Sequence, residues 1–180
     1  TQSFNRPGIP ARNPPSDKCT YKLIANNGVL MKPYIVSEVH SAKTGELVYR
    51  RKPEVLIDTK IDPQYFNFIQ RAMRGVVTDG TAKWGGAVLA VDAAGKTSTS
   101  EVLGQLTHSW YTAFAPFGSG DKNDLISVTA IVEHAGAGSA IAAPLVSEIL
   151  EAYFACVDLD TAKRNIWIKR AQARKNSQQG

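Results

Sequence analysis

After Gly80 the hydrophobic period of this chain changes from about 3.6 residues to 2, and that change does most to restrict its fold. Asp62-Pro63 reads as a helix N-cap and first helical residue. Behind it Phe66, Ile69, Met73 and Val76 recur at helical spacing, and Asp79-Gly80 ends the run. Val88–Val91 is short and apolar. His108–Ala115 then alternates, with Trp110, Thr112 and Phe114 on one face. Ile126–Val132 alternates again, grouping Ile126, Val128, Ala130 and Val132. Between them Pro116–Asp124, with Gly118, Ser119, Gly120 and Asp121, predicts a hairpin loop. Gly136-Ala137-Gly138 is a tight break, and Pro144 opens a last core helix with a stripe of Leu145, Ile149, Ala152, Tyr153 and Cys156. Antiparallel strands closed by a long helix predict an α+β fold, an antiparallel sheet packed against helices.

The remaining segments divide the chain. Residues 1–15 read as an irregular loop segment, because Pro7, Gly8, Pro10, Pro14 and Pro15 oppose regular structure. Ser16 or Asp17 can cap a short helix carrying Tyr21, Leu23 and Ile24, which stops at Asn26-Asn27-Gly28. Strands are expected near Val29–Met31, Tyr34–Val39 and Leu47–Tyr49, the last after the turn Lys43-Thr44-Gly45-Glu46. Residues 16–157 form the body and 158–180 a basic tail.

A chain of 180 residues with 43% hydrophobic and 21% charged residues can bury a core. No stretch approaches the ~18 continuous apolar residues of a membrane-spanning helix, and Thr1–Pro15 holds no apolar signal core. The net charge of +5 is local. Of 21 basic residues, six lie between Thr161 and Gly180, where there is no acid; the body keeps 15 against 16 acids. A near-neutral body argues against nucleic acid as a partner, and the tail reads as a solvated, partly disordered end. Cys19 and Cys156 fall in helical periods as buried thiols, and neither C-x-x-C nor a Cys/His cluster exists to hold a metal. His40, His108 and His134 are far apart in sequence.

Gly95-Lys96-Thr97-Ser98 admits two readings. A phosphate loop requires glycine at position 90, which is Ala90, and a helix where Ser98–Gly104 leads into a strand. A K-T-G-type triplet on an edge strand, as in penicillin-recognising serine enzymes, fits better. Lys96 and Ser98 then share one face, and Thr97 and Thr99 the other. Lys96 offers positive charge to a ligand carboxylate, Thr99 its hydroxyl, and the Thr99 backbone N–H can face a developing oxyanion.

The surroundings carry more than the triplet. The runs Gly80-Thr81-Ala82, Ala94–Thr99, His108–Pro116, Ile131-Val132-Glu133-His134, Gly136-Ala137-Gly138-Ser139 and Ala142-Ala143-Pro144 follow one another in order. Together with Ile24-Ala25-Asn26-Asn27-Gly28 and Lys32-Pro33, they resemble the C-terminal part of the transpeptidase domain of class B penicillin-binding proteins, over roughly Pro14 to Tyr153.

That resemblance implies a five-stranded antiparallel sheet between helices. It implies a periplasmic peptidoglycan D,D-transpeptidase of cell-wall and cell-shape synthesis, acting through a serine acyl-enzyme and binding β-lactams. The partners implied are the peptidoglycan stem peptide, β-lactam antibiotics and a missing N-terminal part of the domain. Membrane contact would run only through an anchor outside this chain, and no metal or organic cofactor is implied. Substrate-binding residues would be Lys96, Thr97, Ser98 and Thr99, with the Thr99 N–H in the oxyanion hole. Apart from the resemblance, Trp84, beside Lys83 and Gly85-Gly86 in a loop near the triplet, is expected to line the groove. Two features depart from the family pattern. Ser98 stands where the triplet has glycine. The nucleophile motif S-x-x-K has only a copy at Ser119–Lys122, after the triplet and in the hairpin loop, and S-x-N only Ser3-Phe4-Asn5, too close to Asn26. The expectation is a nucleophile outside this chain. A non-catalytic binding module on the same fold is the alternative. Trp110, Phe114 and Tyr153 are expected in the core, His108 at a strand end, and Glu133-His134 in a structural role.

Overall fold

The computed structural model describes residues 14–118 and 124–176, with side chains from Thr20 onward. Its elements run α1 (Pro14–Ala25), β1 (Val29–Met31), β2 (Glu38–His40), β3 (Leu47–Arg50), β4 (Val55–Asp58), α2 (Pro63–Thr78), β5 (Ala94–Ser100), β6 (His108–Ala115), β7 (Ile126–Val132), α3 (Ala142–Ala155) and α4 (Leu159–Asn176). The α+β fold class holds.

The period-2 segments form one antiparallel sheet in the order β5-β6-β7, so β5 is an edge strand among the described residues. Register pairs Lys96 with Thr112, Ser98 with Trp110 and Thr99 with Ser109. Alternation sends Thr97, Tyr111, Ala113, Ala115 and Ala130 to one face, where α3 covers them through Ala142, Ala143, Val146 and Leu150. The opposite face carries Ala94 and Phe114, packed with Met73 of α2 and Ala25 of α1. The same face continues through Lys96, Ser98 and Ile131, all exposed. Two two-stranded ribbons, β1-β4 and β2-β3, complete the chain.

Local chemistry fixes the joints. The Asp62 carboxylate accepts from Gln64 N at 2.9 Å, capping α2 as its sequence predicts. Gln70 of α2 donates to Ile24 O at 2.6 Å and Asn27 Oδ1 at 2.8 Å, tying down the end of α1. Gly28 has φ +89°, and a Cβ there would stand 2.5 Å from Thr59 Oγ1 and 2.6 Å from the Phe66 ring. Arg74 of α2 donates to Ala93 O at 2.8 Å and pairs with Asp92, setting the entry to β5.

Several expectations are corrected. Helix α1 begins at Pro14, so Ser16 and Asp17 lie inside it and Pro14 and Pro15 stand in its first turn, where proline is tolerated; residues 1–13 lie outside the described residues. The second strand is Glu38–His40 rather than Tyr34–Val39, and β4 was not anticipated. Val88–Val91 forms no strand, although Val88 and Val91 pack against the core. On α3 the buried face is Val146, Ser147, Leu150 and Glu151, one position beyond the predicted stripe. Leu145 and Tyr153 are exposed, and so is the Cys156 thiol. Residues 159–176 are not a solvated end but helix α4, which packs on α3 and buries Ala162 and Ile166.

Candidate functional site

The triplet lies on the edge strand with its side chains divided between two environments. Lys96 and Ser98 are exposed on the face that α1 and α2 leave open. Lys96 Nζ turns back to donate to Thr97 O. Directly across from Ser98 stands Trp110, half-buried, with its indole N–H buried and without a partner among the described residues. Cross-strand neighbours have Cβ atoms about 4.5–5.5 Å apart, so the indole flanks the Ser98 side chain.

Thr97 faces the other way. It is 9% exposed, and its hydroxyl shares a 2.7 Å hydrogen bond with that of Thr81, in the turn after α2. The Thr97 side chain is therefore an anchor under the strand rather than a ligand-facing hydroxyl. Thr99 is exposed, and its Oγ1 accepts from Gly138 N at 3.4 Å. Acceptance leaves the hydroxyl proton free for a ligand. The Gly136–Gly138 break brings the chain back against the end of β5. A Cβ at Gly138 would stand 2.3 Å from Trp110 O and 2.4 Å from Ser98 O, so only glycine fits.

Tyr111 supports the triplet from below. Its ring is fully buried on the Thr97 face, and its hydroxyl lies between Gly86 and Gly95. A Cβ at Gly86 would come within 2.5 Å of it and one at Gly95 within 2.3 Å. Burial raises the phenol's pKa well above its ordinary value, so it is neutral.

With that geometry in view, residues 20–151 match the family model described as the penicillin binding protein transpeptidase domain. The chain belongs to this family. It is 26% identical over 151 residues to the peptidoglycan D,D-transpeptidase MrdA of Haemophilus influenzae, covering 73% of this chain and 22% of that protein. Its fold superposes on the D,D-transpeptidase domain of a peptidoglycan glycosyltransferase from Eggerthella lenta with a TM-score of 0.67 at 27% identity, covering 86% of this chain and 36% of that one. Penicillin-binding protein A of Mycobacterium tuberculosis, in its imipenem acyl-enzyme complex, gives a TM-score of 0.64 at 28% identity over 78% of this chain and 30% of that one. The chain thus spans about a third of these solved chains and 22% of the curated relative. The class B resemblance read from the sequence stands.

Of the other residues singled out in the sequence, Trp84 lines a separate cleft with Ser139, Pro144 and Trp167, which none of Lys96 to Thr99 lines. His108 and His134 do come together, ring centroids 4.7 Å apart and edge to face. His134 N donates to His108 Nδ1 at 3.1 Å, which joins the ends of β6 and β7. Ser119–Lys122 and Ser3-Phe4-Asn5 lie outside the described residues. Thr81, Tyr111 and Gly138 were not anticipated as supports of the triplet. The alternating pattern places Tyr111 beneath Thr97 only once the β5–β6 register is known.

Proposed function

We propose that this chain supplies the ligand-binding edge strand of a peptidoglycan D,D-transpeptidase whose nucleophilic serine and lysine base lie on another part of the protein. In this reading residues 16–157 are the C-terminal part of the transpeptidase domain and 158–180 a basic extension. The observation that carries it is the edge strand β5, where Lys96 and Ser98 are exposed on the open face and Thr99, exposed on the other face beside Gly138, keeps a free hydroxyl proton. Lys96 draws in the terminal carboxylate of a stem peptide, Thr99 Oγ1 donates to it, and the Thr99 N–H stabilises the oxyanion as the serine attacks. The acyl bond forms on that serine as the terminal residue leaves, and an amine of a second stem peptide then displaces the serine. A β-lactam enters by the same first step. The imipenem acyl-enzyme of the mycobacterial relative supports the acylation step. The step needs no metal or organic cofactor. Its substrate places the protein at the outer face of the cytoplasmic membrane or in the periplasm. Among the described residues no helix is long and apolar enough to cross a membrane.

Two measurements test it. The 180-residue polypeptide alone, incubated with a labelled penicillin, should show no covalent adduct by intact mass. In the full-length protein Lys96→Ala should slow β-lactam acylation far more than Lys122→Ala, and equal rates for the two would sink the role given to the triplet. Ser98 favours the second reading, a binding module that keeps the fold without catalysis. An S-x-x-K followed by an S-x-N in the full-length protein before Thr1 selects the enzyme.

A further inference from the structure

A cleft of about 670 Å³ opens where α4 meets the N-terminal end of α3 and the turn after α2. It is lined by Trp84, Ser139, Pro144, Trp167, Arg170 and Arg174, and its α4 half lies beyond the residues that match the transpeptidase family.

Its cations are guanidiniums. The first N–H groups of α3 are already engaged: Ala142 N donates to Ser109 Oγ at 3.0 Å and Ala143 N to Gly138 O at 2.9 Å, and Pro144 has none. Arg170 and Arg174 are four residues apart on one helix and so face the same way. Arg170 is half-buried, and Nη2 donates to Gly85 O at 2.8 Å and Ser147 Oγ at 3.0 Å, which fixes the plane of the group. Its Nε–H is buried with no partner among the described residues. The charges acting on it are Glu148 of α3, which favours its cation, and Arg174, which opposes it. Desolvation is the largest influence, and Arg170 sits below the ordinary arginine pKa. A half-buried, held cation beside a second cation gains from an incoming anion. The walls are two indoles, Trp84 51% and Trp167 69% exposed, the first with Lys83 Nζ 5.8 Å above its ring. Exposed indoles beside a cationic floor take a ring or apolar group carrying an oxyanion.

We propose that this cleft is a binding site for an oxyanion, carboxylate or phosphate, borne on a ring or apolar group that packs against Trp84 and Trp167. It stands apart from the triplet, which also takes a carboxylate, and the test separates them. Ligand-observed fluorine NMR on the full-length protein uses three probes: trifluoromethyl-phenylacetate, trifluoromethyl-phenyl phosphate and the neutral trifluoromethyl-phenylacetamide. At least one anionic probe should bind about tenfold more tightly than the amide, and which one does so identifies the oxyanion. Added salt should weaken that binding. Arg174→Gln and Trp167→Ala, both at exposed positions, should each weaken it about tenfold, as should Arg170→Lys if it keeps its melting temperature. Lys96→Ala should leave it unchanged. Equal binding of the amide, no binding of any probe, or loss confined to Lys96→Ala would overturn the assignment. An acylation defect in Lys96→Ala with probe binding intact separates this site from the proposed transpeptidase site.

Discussion

Gly95→Ala should damage the protein through Tyr111, and the damage should shrink when the tyrosine hydroxyl is removed. A Cβ at position 95 would stand 2.3 Å from Tyr111 Oη, 2.6 Å from Cζ and 2.9 Å from Thr112 O. The ring cannot retreat, since Tyr111 is 0% exposed and Gly86 already bounds its hydroxyl on the other side. The strand or the ring must shift, and overpacking of this kind costs about 1–3 kcal/mol. The upper end applies here because Thr112 O is backbone. Tyr111→Phe acts in the opposite direction. Its hydroxyl is buried with no partner among the described residues, and an unpaired buried hydroxyl costs about 1–3 kcal/mol. The phenylalanine variant should be as stable as the parent or more so. In that background the 2.3 Å contact is gone while those to the ring carbon and to Thr112 O remain, so Gly95→Ala should cost about 1 kcal/mol less. Urea unfolding of the parent, the two single variants and the double variant measures the coupling. The acylation rate gives a second readout, because a displaced Gly95 carries Lys96 with it. Additive costs, or a loss above about 1 kcal/mol in Tyr111→Phe, would refute the reasoning.

Three further outcomes are expected. Ser98→Gly in the full-length protein should raise the acylation rate of bulky cephalosporins more than that of small penicillins, since the removed hydroxymethyl group stands beside Trp110 on the proposed ligand face; an unchanged ratio counts against crowding. Glu151→Ala should destabilise by about 2–3 kcal/mol in thermal unfolding, because the buried carboxylate accepts from Leu89 N at 2.7 Å and Ala90 N at 2.9 Å and both donors would lose it. The Glu38 carboxylate bonded to His40 raises the histidine's pKa above 6.5, and His40 and Arg50 lower that of Glu38. The pair's support is complete below the ordinary histidine range and above the ordinary carboxylate range. It fades as pH rises through the raised value or falls through the lowered one, so Glu38→Gln should move the His40 NMR titration midpoint down.

What the sequence disclosed follows from which forces are local. Strands β6 and β7 begin and end where alternation places them, because a half-buried strand writes its two faces into neighbouring residues. Asp62 caps α2 as expected for the same reason, as the cap is a contact two residues long. The face of α3 was misread by one position because hydrophobicity does not mark Ser147 and Glu151 as buried. Ser147 Oγ reaches Gly85 O at 2.9 Å and Glu151 reaches the Leu89 and Ala90 amides, partners about 60 residues away that no local pattern reports. Strand β4 is hidden similarly, since its pairing is with β1 across the β2–β3 ribbon. Helix α4 was obscured by charge, although Ala162 and Ile166 stand at helical spacing within it. The triplet was legible in its order of residues, and its division into anchored and open side chains was half legible. Alternation separates Lys96 from Thr97, but only Thr81 shows which of the two faces is closed.

That division bears on the choice between the two functional readings. The position of β5 is held by groups away from the proposed ligand face: the Thr97–Thr81 hydrogen bond, the Tyr111 ring under Gly95, and Gly138 against the backbone of Ser98 and Trp110. Ser98 contributes to none of these through its side chain, so replacing it leaves the strand where it is. A change in ligand preference on Ser98→Gly would then be an effect of the hydroxymethyl group in the groove, not of a moved Lys96 or Thr99. The serine in the third position therefore does not by itself mark a lost active site. A strand so anchored tolerates a small side chain on its open face and still presents the lysine and threonine on which the transpeptidase reading depends.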